Sequence, residues 1–194
     1  MNILTLLNKK EEKYLEYKTY EPNITIFKEG DECLYVGIII EGSIKIASYS
    51  LLGNELIFNN LNKDQIFGNN LIFSSHPFYK GNVISLSNTT IAYINKADLL
   101  KMLKNNDSFL EAYLKIQSDF GKELNSKIKL LSFNSAKERI LFFLDENGGS
   151  YEFKTISALA KELNLERESL SRTITKLVKE KIIYRDGKLL ILNK

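Results

Sequence analysis

A chain of 194 residues, 44% hydrophobic and 26% charged, has the material for one large or two small cored domains and is not the composition of a disordered protein. No apolar run approaches the ~18 residues of a spanning helix, and MNILTLLNKK has too short an apolar core, and no cleavage pattern, for a signal peptide. The net charge of +3 lies wholly in the last third, where residues from Ser135 onward hold 12 Lys and Arg against 9 Asp and Glu, an excess compatible with a polyanionic partner.

One cysteine, Cys33, permits no internal disulfide, which suits a reducing, cytoplasmic setting. With His76 as the single histidine, the ligands for a protein-only zinc or iron–sulfur site are too few.

In chain order, the first 20 residues are rich in Glu, Lys and Leu and read as a short helix at a domain rim. From about 20 to 95 the pattern is of short strands. Ile24 and Ile26, residues 36–40, Ile44 and Ile46, then 55–61, 83–86 and 91–94 are β-rich runs. Turn signals at Glu29-Gly30-Asp31, Glu41-Gly42-Ser43, Gly53-Asn54, Gly81-Asn82 and Asn88-Thr89 separate them. Near-even spacing without βα alternation argues for an antiparallel sandwich or barrel.

At Lys96 the pattern turns helical. A short helix over 97–104 is broken by Asn105-Asn106-Asp107, and a long one follows over 108–131. Leu110, Tyr113, Phe120, Leu124 and Leu131, flanked by Ile116 and Ile128, approximate a 3-4 spacing along some ~35 Å of helix. Such a seam between two domains suits dimerisation; the alternative is packing on its own barrel, and polar Gln117 and Lys127 interrupt a strict zipper.

The last sixty residues read as helices closed by a hairpin. Ser135 and Glu138 form a capping-box pattern for a helix that ends before Asn147-Gly148-Gly149. Thr155 caps a second helix carrying Ile156, Leu159, Ala160 and Leu163, and Asn164 suits a tight turn. The next helix, 166–179, has Leu170, Ile174, Leu177 and Val178 on one stripe. Its other side offers Glu168, Ser171, Arg172, Thr175 and Lys179. Residues 182–185 and 188–192 flank Asp186-Gly187, a hairpin signal.

Helix, turn, helix and hairpin together make a winged helix-turn-helix, whose second helix enters the major groove of DNA N-terminus first. Arginine can donate two bonds to guanine, and glutamate can accept from the cytosine amine. Arg167, Glu168, Ser171 and Arg172 occupy the base-reading turns. Thr155, Ser157, Ser169, Thr175, Lys176, Lys179, Arg185 and Lys188 are placed for the DNA backbone. The competing reading makes Glu168 and Arg172 an ordinary solvated i,i+4 pair.

The stretch LAKELNLERESLSRTITKLVKEKIIYRDGKLLIL resembles the C-terminal domain of the CRP/FNR family of bacterial transcription regulators. The family's Arg-Glu-x-x-x-Arg opening appears as Arg167-Glu168-Ser169-Leu170-Ser171-Arg172, and SAKERILFFL resembles the domain's first helix. FKEGD, IIIEGSIKI and DQIFG resemble turns and strands of its cyclic-nucleotide-binding-type β-roll. The resemblance implies an α+β protein: an antiparallel β-roll of jelly-roll type over 1–107, a dimerisation helix and hinge over 108–134, and a winged helix-turn-helix over 135–194. It also implies a homodimer, a pseudo-palindromic operator and RNA polymerase as a partner.

Cyclic-AMP-binding members carry Gly-Glu-Leu followed by an Arg-Ser or Arg-Thr pair. Here Gly68-Asn69-Asn70 and Lys80-Gly81-Asn82 stand near those positions, so the corresponding effector pocket lacks both the acid and the arginine. Lysine cannot supply arginine's bidentate fork. The expectation is weak or absent cyclic AMP binding and no resident cofactor, with another small effector left open. His76, in a loop, is a poor haem ligand, and the acids Asp31 and Glu32 beside Cys33 disfavour a thiolate. A metal-dependent cupin-type enzyme would need two or three histidines. The remaining alternative is a ligand-binding or partner-docking β-roll with a vestigial helix-turn-helix.

Overall fold

The computed structural model describes residues 3–193. The chain divides into two compact units, one ending at Ser118 and the other beginning at Asp119. The division falls inside a long helix rather than at 107/108 or 134/135.

The first unit is built on eight strands: β1 (Glu16–Tyr20), β2 (Thr25–Phe27), β3 (Tyr35–Glu41), β4 (Ser43–Tyr49), β5 (Glu55–Asn62), β6 (Ile66–Phe67), β7 (Asn82–Ser85) and β8 (Thr89–Asn95). They form two four-stranded antiparallel sheets, ordered β1-β8-β3-β6 and β2-β7-β4-β5. Val36 and Ile38 of β3, Ile91 and Tyr93 of β8, Ile44 of β4 and Val83 of β7 share one core, giving a jelly-roll sandwich. In β3 the burial is continuous from Val36 to Ile39 rather than alternating, because both faces of that strand are covered. Gly37 leaves room for the Phe67 ring against the strand; a Cβ there would clash with that ring. β5 is an edge strand, and its Leu56, Ile57 and Phe58 are exposed.

The rim helix expected over the first 20 residues is not formed. Two 3-10 turns, Ile3–Leu6 and Glu12–Tyr14, precede β1, which pairs with β8 from Glu16↔Tyr93 to Tyr20↔Thr89. As a mostly exposed edge strand, β1 (EYKTY) lacks the apolar alternation that marks a strand in sequence.

α1 (Lys96–Asn105) is capped by the Asn95 side chain, which accepts from the Asp98 amide. α2 (Asp107–Ser132) follows, with Asn106 Oδ1 accepting from the Phe109 amide at 3.0 Å as its N-terminal cap. The start of α2 buries Phe109, Ala112 and Tyr113 in the sandwich core. Further along, Leu124, Ile128 and Leu131 are exposed, at i, i+4 and i+7.

The second unit contains α3 (Ala136–Glu146), α4 (Ile156–Glu162) and α5 (Arg167–Lys179) with β9 (Ser150–Glu152), β10 (Ile183–Asp186) and β11 (Leu189–Leu192). The strands form one antiparallel sheet, β10-β11-β9. Ile140, Leu144, Leu159, Leu163, Leu170, Ile174, Leu177, Ile183 and Leu190 make its core. The capping box at Ser135 and Glu138 is present, and Thr155 caps α4 as the spacing predicts. β9, too short to show a period, was not legible in the sequence.

Candidate nucleic-acid interface

The placement of α5 begins with the turn before it. After α4, the Leu165 amide bonds to Ala160 O at 2.9 Å and the Asn164 amide to Lys161 O at 3.2 Å, with Asn164 at φ +51°. That is a Schellman turn, and it ends α4 and redirects the chain into α5 within a few residues. The same motif ends α5: Ile182 N bonds to Leu177 O and Lys181 N to Val178 O, both at 3.0 Å, with Lys181 at φ +57°.

Between those turns α5 presses Leu170, Ile174 and Leu177 into the core. Val178, expected on the same stripe, is 36% exposed. It lies at the stripe's edge, since three buried residues already span the contact. Arg167, Glu168, Ser171, Arg172, Thr175, Lys176 and Lys179 are exposed, and Ser169 is half-buried. Glu166, Arg167, Glu168, Ser169, Ser171 and Arg172 line one shallow, solvent-open concavity over the first two turns. The N-terminus of α5 has no side-chain cap, so its first amides lack a capping acceptor at the positive end of the helix dipole.

The Glu168–Arg172 surface pair of the competing reading does not form among the described residues. Among the described residues the ion pairs at this helix are Lys176–Glu180, at 3.8 Å, and Lys137–Glu180, at 3.1 Å. Both lie at the C-terminal end of α5.

The backbone-contact candidates differ in what they still offer. Thr155 Oγ1 accepts from the Ala158 amide at 3.1 Å, which leaves its proton for an acceptor outside. Ser157 is exposed one residue into α4. Thr175 Oγ1 donates to Ser171 O at 3.0 Å, so its proton is committed to the helix. Arg185 donates from Nε to Gly187 O at 3.0 Å, its guanidinium 5.7 Å from the Phe153 ring centre, and Lys188 stands exposed on the loop beside it.

The hairpin turn differs from its expected position by one residue. Asp186 pairs with Leu189, so the two loop residues are Gly187 and Lys188 rather than Asp186 and Gly187. Gly187 alone has positive φ, +54°, as a II′ turn requires at its first central residue. The register is set by Ile183 and Leu190, both 1% exposed; a one-residue slip would turn them outward.

Of the six effector-pocket positions, Asn69 and Asn82 have their side chains engaged in hydrogen bonds within the first unit. Asn69 is buried: its side-chain amide donates to Gln117 Oε1, and its carbonyl accepts from Gln117 Nε2 at 2.9 Å and Tyr113 Oη at 3.1 Å. Asn82 Oδ1 accepts from the Glu29 amide at 3.1 Å, and its Nδ2 donates to Ala47 O at 3.4 Å. Gly68 and Gly81 are buried, while Asn70 and Lys80 are exposed. Phe27 stacks on Tyr79 at 4.8 Å and meets Tyr93 edge-on at 6.1 Å, filling the space between the sheets. Burial pushes the Tyr79 phenol well above its ordinary pKa, so it stays neutral.

Cys33 is buried, its thiol donating to Tyr35 O at 3.4 Å and Gly68 O at 3.6 Å. Its pKa is raised chiefly by that burial, rather than by the neighbouring acids invoked from sequence. His76 lies exposed in its loop, 3.2 Å from Ser75 Oγ. Among the described residues no three His, Cys, Asp or Glu side chains group as metal ligands. No helix among them is long and apolar enough to cross a membrane.

Comparison with known proteins agrees with this architecture. Residues 17–106 match the cyclic nucleotide-binding domain family. The anaerobic regulatory protein of Bacillus subtilis is 26% identical over 184 residues, covering 88% of this chain and 77% of that protein. A transcriptional regulator from Thermotoga maritima is 26% identical, with TM-score 0.59 over 64% of this chain and 96% of its own. At 18% identity, a CooA mutant from Carboxydothermus hydrogenoformans aligns over 100% of this chain and 92% of its own with TM-score 0.70, a likeness of fold. Residues 17–106 thus carry a likeness to the cyclic nucleotide-binding domain family, and over most of its length the chain is similar to bacterial regulators.

Proposed function

We propose that the protein is a homodimeric, sequence-specific DNA-binding transcription regulator, with 1–107 as sensor, 108–134 as dimerisation helix and hinge, and 135–194 as winged helix-turn-helix. The observation that carries this reading is the first two turns of α5. There Arg167, Glu168, Ser171 and Arg172 stand exposed around one concavity, while Leu170 and Ile174 anchor the helix from behind. Two arginines can each grip a guanine edge, and a glutamate can take a cytosine amine. Lys179, Ser157, Thr155 and the hairpin cations Arg185 and Lys188 are offered to phosphates on either side. The exposed stripe Leu124, Ile128 and Leu131 on α2 is the surface through which two copies pair, and a two-fold dimer reads a pseudo-palindrome with half-sites about one helical turn apart.

The sensor unit does not respond to cyclic AMP in this reading. Asn69 stands where a ribose-binding acid would be needed and is tied to α2, and Lys80 is the nearest replacement for a phosphate-binding arginine. Transcription regulation with RNA polymerase as partner, in the cytoplasm, is the role that the resemblance to the CRP/FNR family supports. Selection of bound duplexes from a random DNA pool, with and without cyclic AMP or cell metabolites, tests the proposal. A recovered inverted repeat, enriched equally with and without cyclic AMP, is the expected result. A pool that stays unenriched under every condition overturns it.

A further inference from the structure

One guanidinium in the second unit bonds to two helix ends at once. Arg139, in the first turns of α3, is half-buried. Its Nε donates to Phe133 O at 3.0 Å and its Nη2 to Leu131 O at 3.4 Å, closing the end of α2. Its Nη1 donates to Asn164 O at 2.8 Å and Leu163 O at 3.4 Å, on the Schellman turn between α4 and α5.

These carbonyls are the acceptors that a helix end leaves without intrahelical partners, and both ends carry the negative pole of a helix dipole. Brought together, two such poles repel unless a cation lies between them. Arginine suits the position because its planar fork presents several donors in fixed directions, which a lysine ammonium cannot match. Placing a cation near the positive start of α3 is unfavourable in itself. The Glu138 carboxylate of the capping box, 2.6 Å from Ser135 Oγ, lies at that same end and offsets it.

We propose that Arg139 is a positioning residue for DNA recognition. It joins the end of the long helix to the turn that launches α5, so the direction in which Arg167, Glu168, Ser171 and Arg172 point is set from α2 through this guanidinium. The inference rests on α5 being the DNA-reading helix. It adds that a change at the end of α2 reaches that helix through side-chain bonds and not through the backbone alone.

The test uses the full chain, wild type against Arg139→Gln and Arg139→Lys, with fluorescence anisotropy on the selected operator and on random duplex, and with amide exchange at Leu165. For Arg139→Gln the operator affinity is expected to fall about tenfold, the scale of a lost charge-assisted bond, with random-duplex affinity nearly unchanged. The Leu165 amide then exchanges faster, and Arg139→Lys recovers only part of the operator preference. A merely stabilising role would lower the melting temperature and leave the operator-to-random ratio intact; that outcome overturns the proposal. Should Arg139→Gln fail to fold, the ratio for Arg139→Lys decides in the same way. A wild type without preference among duplexes overturns the interface reading and this proposal with it, whereas a selective wild type with equally selective variants overturns the positioning role alone.

Discussion

At Arg172 the guanidinium is exposed and, among the described residues, makes no ion pair with Glu168 four residues before it. A head group so disposed is available to a base edge. Arg172→Ala is therefore expected to cost about 1–3 kcal/mol on the operator and to relax preference at a single base pair. Lys179→Ala should instead weaken operator and random duplex alike and reduce the salt slope by about one. Titrations on both duplexes at two ionic strengths separate these effects; an equal loss on the two duplexes for Arg172→Ala would remove it from base reading. Lys181 raises a different residue-scale question. It holds a left-handed backbone, φ +57°, that L-residues adopt reluctantly, and its side chain is exposed. Lys181→Gly should stabilise the protein by roughly 0.5–1 kcal/mol, read as a higher urea midpoint with unchanged slope.

Among the elements, α2 shows why a sequence can give a helix and still mislead about its face. Gln117 looks like a flaw in an apolar seam, yet it bonds Asn69 through both ends of its amide. Nothing in the spacing could reveal a partner 48 residues away. Gln117→Leu leaves the buried Asn69 amide without its acceptor and should destabilise the first unit by about 1–3 kcal/mol, measurable by chemical denaturation. Locally determined features were legible: the capping box at Ser135, the Thr155 cap and the Asn164 turn each depend on a few adjacent residues. The hairpin was legible in kind but displaced by one residue, because its register answers to the burial of Ile183 and Leu190 and not to turn chemistry alone. β1 and β6 escaped for a related reason: an exposed edge strand and a two-residue strand owe their pairing to neighbours distant in sequence. Arg139 escaped for the same reason, being one charged residue among many until the ends of α2 and α4 converge on it.

For the whole molecule the decisive quantity is the oligomeric state. Leu124, Ile128 and Leu131 form an exposed apolar stripe in the second half of α2, where the protein's own core does not cover them. Ile128→Glu would place a carboxylate in the seam of the proposed dimer. Light scattering should then report a monomer, and operator binding should fall far more than random-duplex binding, because half-site pairing is lost. A variant that remains dimeric would move the interface elsewhere. The antiparallel sandwich was readable from strand spacing and turn signals. The state of the effector site was not, because substituting amides for an acid does not reveal that one of them is tied to α2.

Cys33 gives this architecture a built-in clock. The chain holds a single sulfhydryl, and it lies 2% exposed in the core of the first unit, donating to Gly68 O. A maleimide or disulfide reagent reaches it when the sandwich opens, so the alkylation rate reports the opening free energy of the first unit. The same alkylation measurement, with and without a selected duplex, tests whether the proposed binding of DNA at α5 slows opening of the first unit.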